Sequence, residues 1–92
     1  MMDEQTKAKV QKRLKRAAGQ MSGIQRMVDE DRYCVDVLLQ IAAARAALAK
    51  AGQLMLGAHL QTCVKGAFES NDAEDRQTKI DELIRLFDKM GA

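Results

Sequence analysis

Apolar side chains recur at helical spacing in the first part of the chain. Their intervals alternate between four and three residues, which places them on one face of an amphipathic helix. The stripe consists of Val10, Leu14, Ala17, Met21, Ile24 and Val28. The acidic run DED at 29–31 interrupts the pattern. Helix 1 is therefore predicted to end near Asp29.

Two further helices follow from the same criterion. Helix 2 is predicted to start near Arg32 and to continue until the polar run ESND at 69–72. Helix 3 is predicted over 75–90, with an apolar stripe made by Ile80, Leu83, Ile84 and Phe87. Strong helix formers dominate the composition and proline is absent. We therefore expect an all-α, three-helix protomer with a long central helix, forming one domain over residues 1–92.

The central helix carries a second pattern, with a period of seven. Cys34, Ile41, Leu48 and Met55 repeat at this interval, which on a long helix indicates a partner helix. The stretch AAARAALAKAG between them would let two backbones approach closely. The alternative is that alanine is abundant there only because it is the best helix former.

Charge is distributed unevenly. Residues 1–26 hold seven Lys or Arg against two acidic residues, whereas the remainder holds eight against eleven. A basic segment on an otherwise acidic chain favours a polyanionic partner such as DNA. No apolar run is long enough to span a membrane, and the N-terminus lacks the apolar core of a signal peptide. A cytoplasmic protein with reduced thiols is expected.

His59 and Cys63 lie four residues apart, so they share a helix face and can bind one ion together. Cys34 precedes His59 by 25 residues, which at 3.6 residues per turn is within about 20° of seven full turns. The two side chains thus point the same way, but about 37 Å apart along the axis. An antiparallel second copy of the helix would place its Cys34 beside the first copy's His59, with the two-fold axis near Leu48. The predicted assembly is an antiparallel dimer with two shared Cys-His-Cys sites.

Two thiolates and one imidazole form a soft, three-coordinate donor set that suits Cu(I). Zinc usually takes a fourth ligand, and oxygen-seeking ions would find the set poor. The alternative is that both cysteines are small buried apolar residues and His59 a surface residue. A Cys-His nucleophile pair is a weaker interpretation, because no orienting group or oxyanion hole is recognisable. The protein is therefore not expected to be an enzyme.

The segment RLKRAAGQMSGIQRMVDEDRYCVDVLLQIAAARAAL, followed by HLQTC, resembles the copper-sensitive operon repressors of the CsoR/RcnR family. The resemblance extends from about residue 7 to 90. It implies antiparallel dimers that pair into homotetramers and repress metal-export or detoxification genes. It also implies that Cu(I) is held by Cys34 of one protomer and by His59 and Cys63 of the other.

The resemblance implies further roles for individual residues. Tyr33 and Glu82 match residues thought to link the histidine ligand to the third helix, as outer-shell carboxylates often do. The segment between helices 2 and 3 is about three residues longer than usual, as in the formaldehyde-responsive branch, which bears on the alignment of Glu82. For DNA binding, the matching residues are Arg13, Arg16, Gln20 and Lys50.

Branch assignment depends on the ligand positions. Nickel and cobalt sensors have N-terminal histidine and a second histidine at position 63, and the formaldehyde branch has glutamate there; this chain has Cys63. The persulfide branch replaces the histidine that here is His59. The sequence therefore predicts a Cu(I)-responsive repressor that binds operator DNA without metal. A thiol or persulfide sensor, or a sensor of another metal or of formaldehyde, is the alternative, and a copper carrier without a DNA role fits the basic helix less well.

Overall fold

The computed structural model describes residues 2–90, and all regular structure in that range is helical. Helix α1 covers Glu4–Asp29 and α2 covers Cys34–His59. A π-helical turn at Leu60–Val64 and a short α3 at Lys65–Glu69 continue from α2, and α4 covers Ala73–Met90. The all-α, three-helix prediction is confirmed, with the predicted second helix comprising α2, the π turn and α3. The predicted end of helix 1 is also confirmed, while α2 and α4 each begin within two residues of expectation.

The chain divides into two compact units, Met2–Leu56 and the residues from Gly57 onward. In the first unit, α1 and α2 run in opposite directions beside each other. Met21, late in α1, lines a groove with Ile41, whereas Lys9, early in α1, lines another with Leu54. The expected single domain over residues 1–92 stays a prediction.

The core of the first unit is made of small side chains at seven-residue intervals. Its buried members are Val10 and Ala17 from α1, and Val37, Ala44 and Ala51 from α2. Small residues let two helix axes approach closely, so the packing is tight although little apolar area is buried. This buried seam lies three residues along α2 from the predicted seam of Cys34, Ile41, Leu48 and Met55.

The predicted seam is exposed within the chain. Ile41 and Leu48 are each 46% accessible and Met55 is 40% accessible. Val28, Leu38 and Leu39 also present large apolar side chains to solvent. A contiguous apolar surface of this kind is typical of a face that contacts another protein. Helix α2 therefore has two apolar seams, one covered by α1 and one left uncovered.

The second unit contains the π turn, α3 and α4. Val64 and Ala67 are buried in it, and α4 contacts both the π turn and α3. The connection is ordered by side chains: the Ser70 hydroxyl donates to the Ala67 carbonyl at 2.8 Å, and Asp72 Oδ1 accepts from the Glu74 and Asp75 amides. The Asp72 carboxylate thereby caps the N-terminus of α4. Within residues 2–90, no helix combines the length and apolar character needed to cross a bilayer.

The N-terminus of α1 is capped in the same way. Asp3 Oδ1 accepts a hydrogen bond from the Thr6 amide at 2.6 Å. This backbone hydrogen bond, with a second from the Thr6 side chain, holds the pKa of Asp3 below its ordinary value of 3.8. Because the folded-state pKa is lowered, the cap stabilises the helix above the ordinary value and is lost as pH falls through the lowered pKa.

The C-terminus of α1 ends in a Schellman motif. The Arg32 amide donates to the Met27 carbonyl at 2.9 Å and the Asp31 amide to the Val28 carbonyl at 3.1 Å. This pattern requires a left-handed residue after the helix, and Asp31 has φ 53°. Glycine is the usual residue there, since a Cβ strains this conformation. The motif explains why α1 ends at Asp29 and why the chain reverses before Cys34.

Replacing Asp31 with glycine should raise the free energy of unfolding by about 0.5–1 kcal/mol, because glycine relieves the left-handed strain. The matched control is Asp29→Gly inside α1, which should lower it by about 0.3 kcal/mol. Urea denaturation at equal protein concentration measures both. If Asp31→Gly is as destabilising as the control, the Asp31 side chain and not its backbone conformation determines the turn.

Candidate metal centre and nucleic-acid interface

Cys34 is the first residue of α2, directly after the Schellman turn. Its thiol is free and exposed. Cys34 lies in an open, mostly apolar groove together with Val28, Val37 and Leu38. The preceding Tyr33 is 68% accessible. The first predicted ligand is therefore presented on the surface, beside apolar side chains of the uncovered face.

His59 is the last residue of α2, and Cys63 lies within the π turn that follows it. His59 is half-buried. Cys63 is a free thiol, also half-buried. The π turn has hydrogen bonds five residues apart, as between the Lys65 amide and the Leu60 carbonyl. Single π turns inside α-helices are rare and are frequent at functional sites.

Cys34 and His59 stand at opposite ends of α2. Among residues 2–90, no three His, Cys, Asp or Glu side chains are grouped so that they could hold a metal ion. The assignment of Cys34, His59 and Cys63 as metal ligands stays a prediction.

Glu82 lies in α4, where its recorded ion-pair partner is Lys79. Lys79 Nζ and Glu82 Oε2 are 3.9 Å apart, and the lysine side chain is the less accessible of the two, at 23% against 43%. At this separation and exposure the pair contributes little to stability. The roles of Glu82 and Tyr33 near the histidine stay predictions, and Lys79 was not foreseen because a lysine three residues before a glutamate is common on any helix.

Basic side chains of α1 converge on one groove of the first unit. Lys9, Lys12, Arg13 and Arg16 line it together with Leu54 of α2. Lys50 is exposed on the preceding turn of α2. A groove lined by four cations can bind phosphates, with arginine as a planar fork and lysine as a point charge.

Gln20 occupies a different groove from these cations. It lies with Gly23, Ile24 and Gln40 between α1 and α2. Its Oε1 atom is buried, without a hydrogen-bond partner among the described residues. A buried carbonyl oxygen of this kind requires a donor, most simply a water molecule. Its assignment as a DNA contact stays a prediction, in a setting unlike that of Arg13 and Arg16.

A model of metal-sensitive transcriptional repressors matches residues 6–89. The chain belongs to this family. It is 45% identical over 83 residues to the copper-sensing transcriptional repressor CsoR of Bacillus subtilis, covering 90% of this chain and 79% of the relative. It is 48% identical over 63 residues to the copper-sensing transcriptional repressor RicR of Mycobacterium tuberculosis, covering 68% and 66%.

A solved structure is similar over nearly the whole chain. It is the copper-sensing repressor CsoR with Cu(I) from Geobacillus thermodenitrificans NG80-2, at a TM-score of 0.80 and 36% identity. The match covers 95% of this chain and 91% of that one. The resemblance drawn from the sequence motifs is therefore confirmed.

Arg13→Ala should weaken DNA binding and reduce the slope of log K against log salt by about one, because one phosphate contact is lost. Gln20→Ala should leave the slope unchanged, since a neutral amide releases no counterion. Fluorescence anisotropy with a duplex selected from a random pool, at four salt concentrations, measures both. An unchanged slope for Arg13→Ala would exclude Arg13 from the residues that contact phosphate.

Proposed function

We propose that this chain is a Cu(I)-responsive transcriptional repressor of copper export or resistance genes, acting in the cytoplasm. The metal-free protein binds operator DNA, and the copper-loaded protein releases it. The observation that carries the proposal is the placement of Cys34 at one end of α2 and of His59 and Cys63 at the other. An uncovered apolar seam runs between those ends.

The uncovered seam supports an antiparallel dimer. Ile41, Leu48 and Met55 are exposed in the single chain and lie at the seven-residue spacing that a partner helix would cover. An antiparallel copy centred near Leu48 places each Cys34 beside the partner's His59 and Cys63. Burial of the seam and assembly of the metal site then require the same alignment. Two such dimers form a homotetramer in this proposal.

The donor set supports Cu(I). Thiolate sulfur is a soft ligand that favours Cu(I), and two thiolates with one imidazole satisfy its low coordination number. A metal-bound imidazole usually donates its other N–H to a carboxylate or carbonyl, and Glu82 of α4 is assigned that role. Tyr33, next to Cys34, is assigned to the same outer shell. Bound Cu(I) supplies a positive charge and three bonds that join two protomers.

The basic groove supports DNA binding. Lys9, Lys12, Arg13 and Arg16 are brought together in the first unit. Lys50 and Gln20 are the further assigned contacts. In a homotetramer this surface is repeated, so binding depends strongly on salt. Because the coupling is thermodynamic, DNA weakens copper binding by the same factor by which copper weakens DNA binding.

A second function is favoured by the state of the two cysteines. Both are free, Cys34 is exposed and Cys63 is only half-buried. In the antiparallel dimer they would approach each other across the interface. A thiol or persulfide sensor would then respond by linking the two sulfurs. Parallel titrations of the protein–DNA complex with Cu(I), with zinc and with a persulfide donor distinguish the two functions.

Cys34→Ala and Cys63→Ala should each abolish tight Cu(I) binding and leave metal-free DNA binding intact, because each removes one thiolate from a three-ligand set. Competition with a chromophoric Cu(I) chelator measures the affinity, and anisotropy measures DNA binding. X-ray absorption of the parent protein should give three ligands, two of them sulfur. A spectrum with four or more ligands, or with no sulfur, would contradict the assigned site.

Glu82→Ala should keep Cu(I) affinity to within roughly 10- to 100-fold of the parent, the usual scale for an outer-shell partner. It should nevertheless impair release of DNA, since the link from the histidine to α4 is lost. Asp88→Ala, an exposed carboxylate on the same helix, is the matched control. If Glu82→Ala derepresses as fully as the control, Glu82 is only an ion-pair partner of Lys79.

A mixing experiment tests whether each site is shared. One chain carries Cys34→Ala and the other carries His59→Ala with Cys63→Ala, and neither parent should bind tightly. In the heterodimer one site receives all three substitutions while the other site is intact. Tight binding should therefore return at half of the sites. Verified heterodimers with no tight site would show that α2 pairs differently from the proposed arrangement.

A further inference from the structure

Thr62 lies inside the π turn, between the two ligands that one chain contributes. Its hydroxyl donates a hydrogen bond to the Ala58 carbonyl at 2.8 Å. The same oxygen is 3.7 Å from Cys63 Sγ, within hydrogen-bonding range for sulfur. All three residues belong to the second unit. One side chain therefore contacts both the backbone beside His59 and the sulfur of Cys63.

The hydroxyl carries one proton, and the two acceptors compete for it. While Cys63 is a thiol, its sulfur is a weak acceptor and the carbonyl of Ala58 is a strong one. The thiol proton can then point to Thr62 Oγ1, giving a chain from sulfur to hydroxyl to carbonyl. A metal-bound thiolate has lost that proton to solvent and carries negative charge. Hydrogen bonds to ionised acceptors are about twice as strong as neutral ones, so the hydroxyl proton is drawn toward the sulfur.

We propose that Thr62 is a positioning residue for Cu(I) binding, whose hydroxyl donates to the metal-bound sulfur of Cys63. The proposal rests on the proposed function, because it takes Cys63 as a copper ligand. The hydroxyl keeps its proton throughout and only changes the acceptor to which it points. It holds Cys63 in the rotamer that faces the site and delocalises charge from the thiolate.

Three variants separate the hydroxyl from the shape of the side chain. Thr62→Val keeps the β-branched shape without the hydroxyl, Thr62→Ser keeps the hydroxyl without the branch, and Thr62→Ala removes both. The valine and alanine variants should lose about 10-fold in Cu(I) affinity, the lower end of outer-shell effects, while serine stays near the parent. Anaerobic competition with a chromophoric Cu(I) chelator measures this. If valine retains the affinity and serine loses it, the shape is what matters and the proposal is overturned.

A second measurement does not depend on copper. In a Cys34→Ala background Cys63 is the sole thiol of the chain. Its S–H stretching frequency in the infrared should be lower with threonine or serine at position 62 than with valine or alanine, because only a hydroxyl oxygen accepts the S–H. Equal frequencies in all four proteins would overturn the contact. Circular dichroism and binding to DNA of the metal-free variants should match the parent.

The two measurements fail separately. If the parent chain shows no tight Cu(I) binding, the proposed function is wrong, and the S–H frequencies still decide whether Thr62 contacts Cys63. If the parent binds Cu(I) tightly and all three variants bind equally, the role of Thr62 is wrong while the proposed function stands. Loss of affinity in the valine and alanine variants alone supports both.

Discussion

The close packing of α1 against α2 through small side chains is the constraint on which the rest of the structure depends. Ala17, Ala44 and Ala51 are buried where larger side chains would be expected in a core. Alanine contributes little apolar area at about 25 cal/mol per Å², so the single chain gains little from this seam. The larger aliphatic side chains of α2 lie outside it. Most of the apolar area that the sequence offers is thus still uncovered after the chain has folded on itself.

That division of α2 into a covered and an uncovered seam relates the packing to the chemistry. The uncovered seam begins at Cys34, and in the proposed dimer its centre at Leu48 determines which partner residues lie beside that thiol. A shift of one helical turn in the pairing would bury similar apolar area but separate the ligands by about 5.4 Å. The metal site is therefore a sensitive measure of alignment, more so than the apolar contacts themselves.

The helices, their approximate ends, the family and the exposed seam could be predicted from periodicity and motifs, because those signals lie in the order of residues. The features that were missed depend on backbone geometry or on competition between partners. The left-handed Asp31 replaces the usual glycine of a Schellman motif, so the turn carried no glycine signal. The π turn keeps an ordinary helical spacing of apolar residues. Lys79 and Thr62 became visible only through distances, 3.9 Å to Glu82 and 3.7 Å to Cys63. The candidate ligands were identified from spacing and motif, and their assembly depends on a second chain.

The exposed aliphatic surface of α2 also has a consequence for gene control by copy number. When folding and association are coupled, the melting temperature and the fraction of assembled protein both rise with protomer concentration. A cell holding few copies would keep part of the pool as dissociated chains, which proteases degrade more readily. Repression would then fall more steeply than the total amount of protein. The abundance of the repressor would itself set the threshold at which its target genes are expressed.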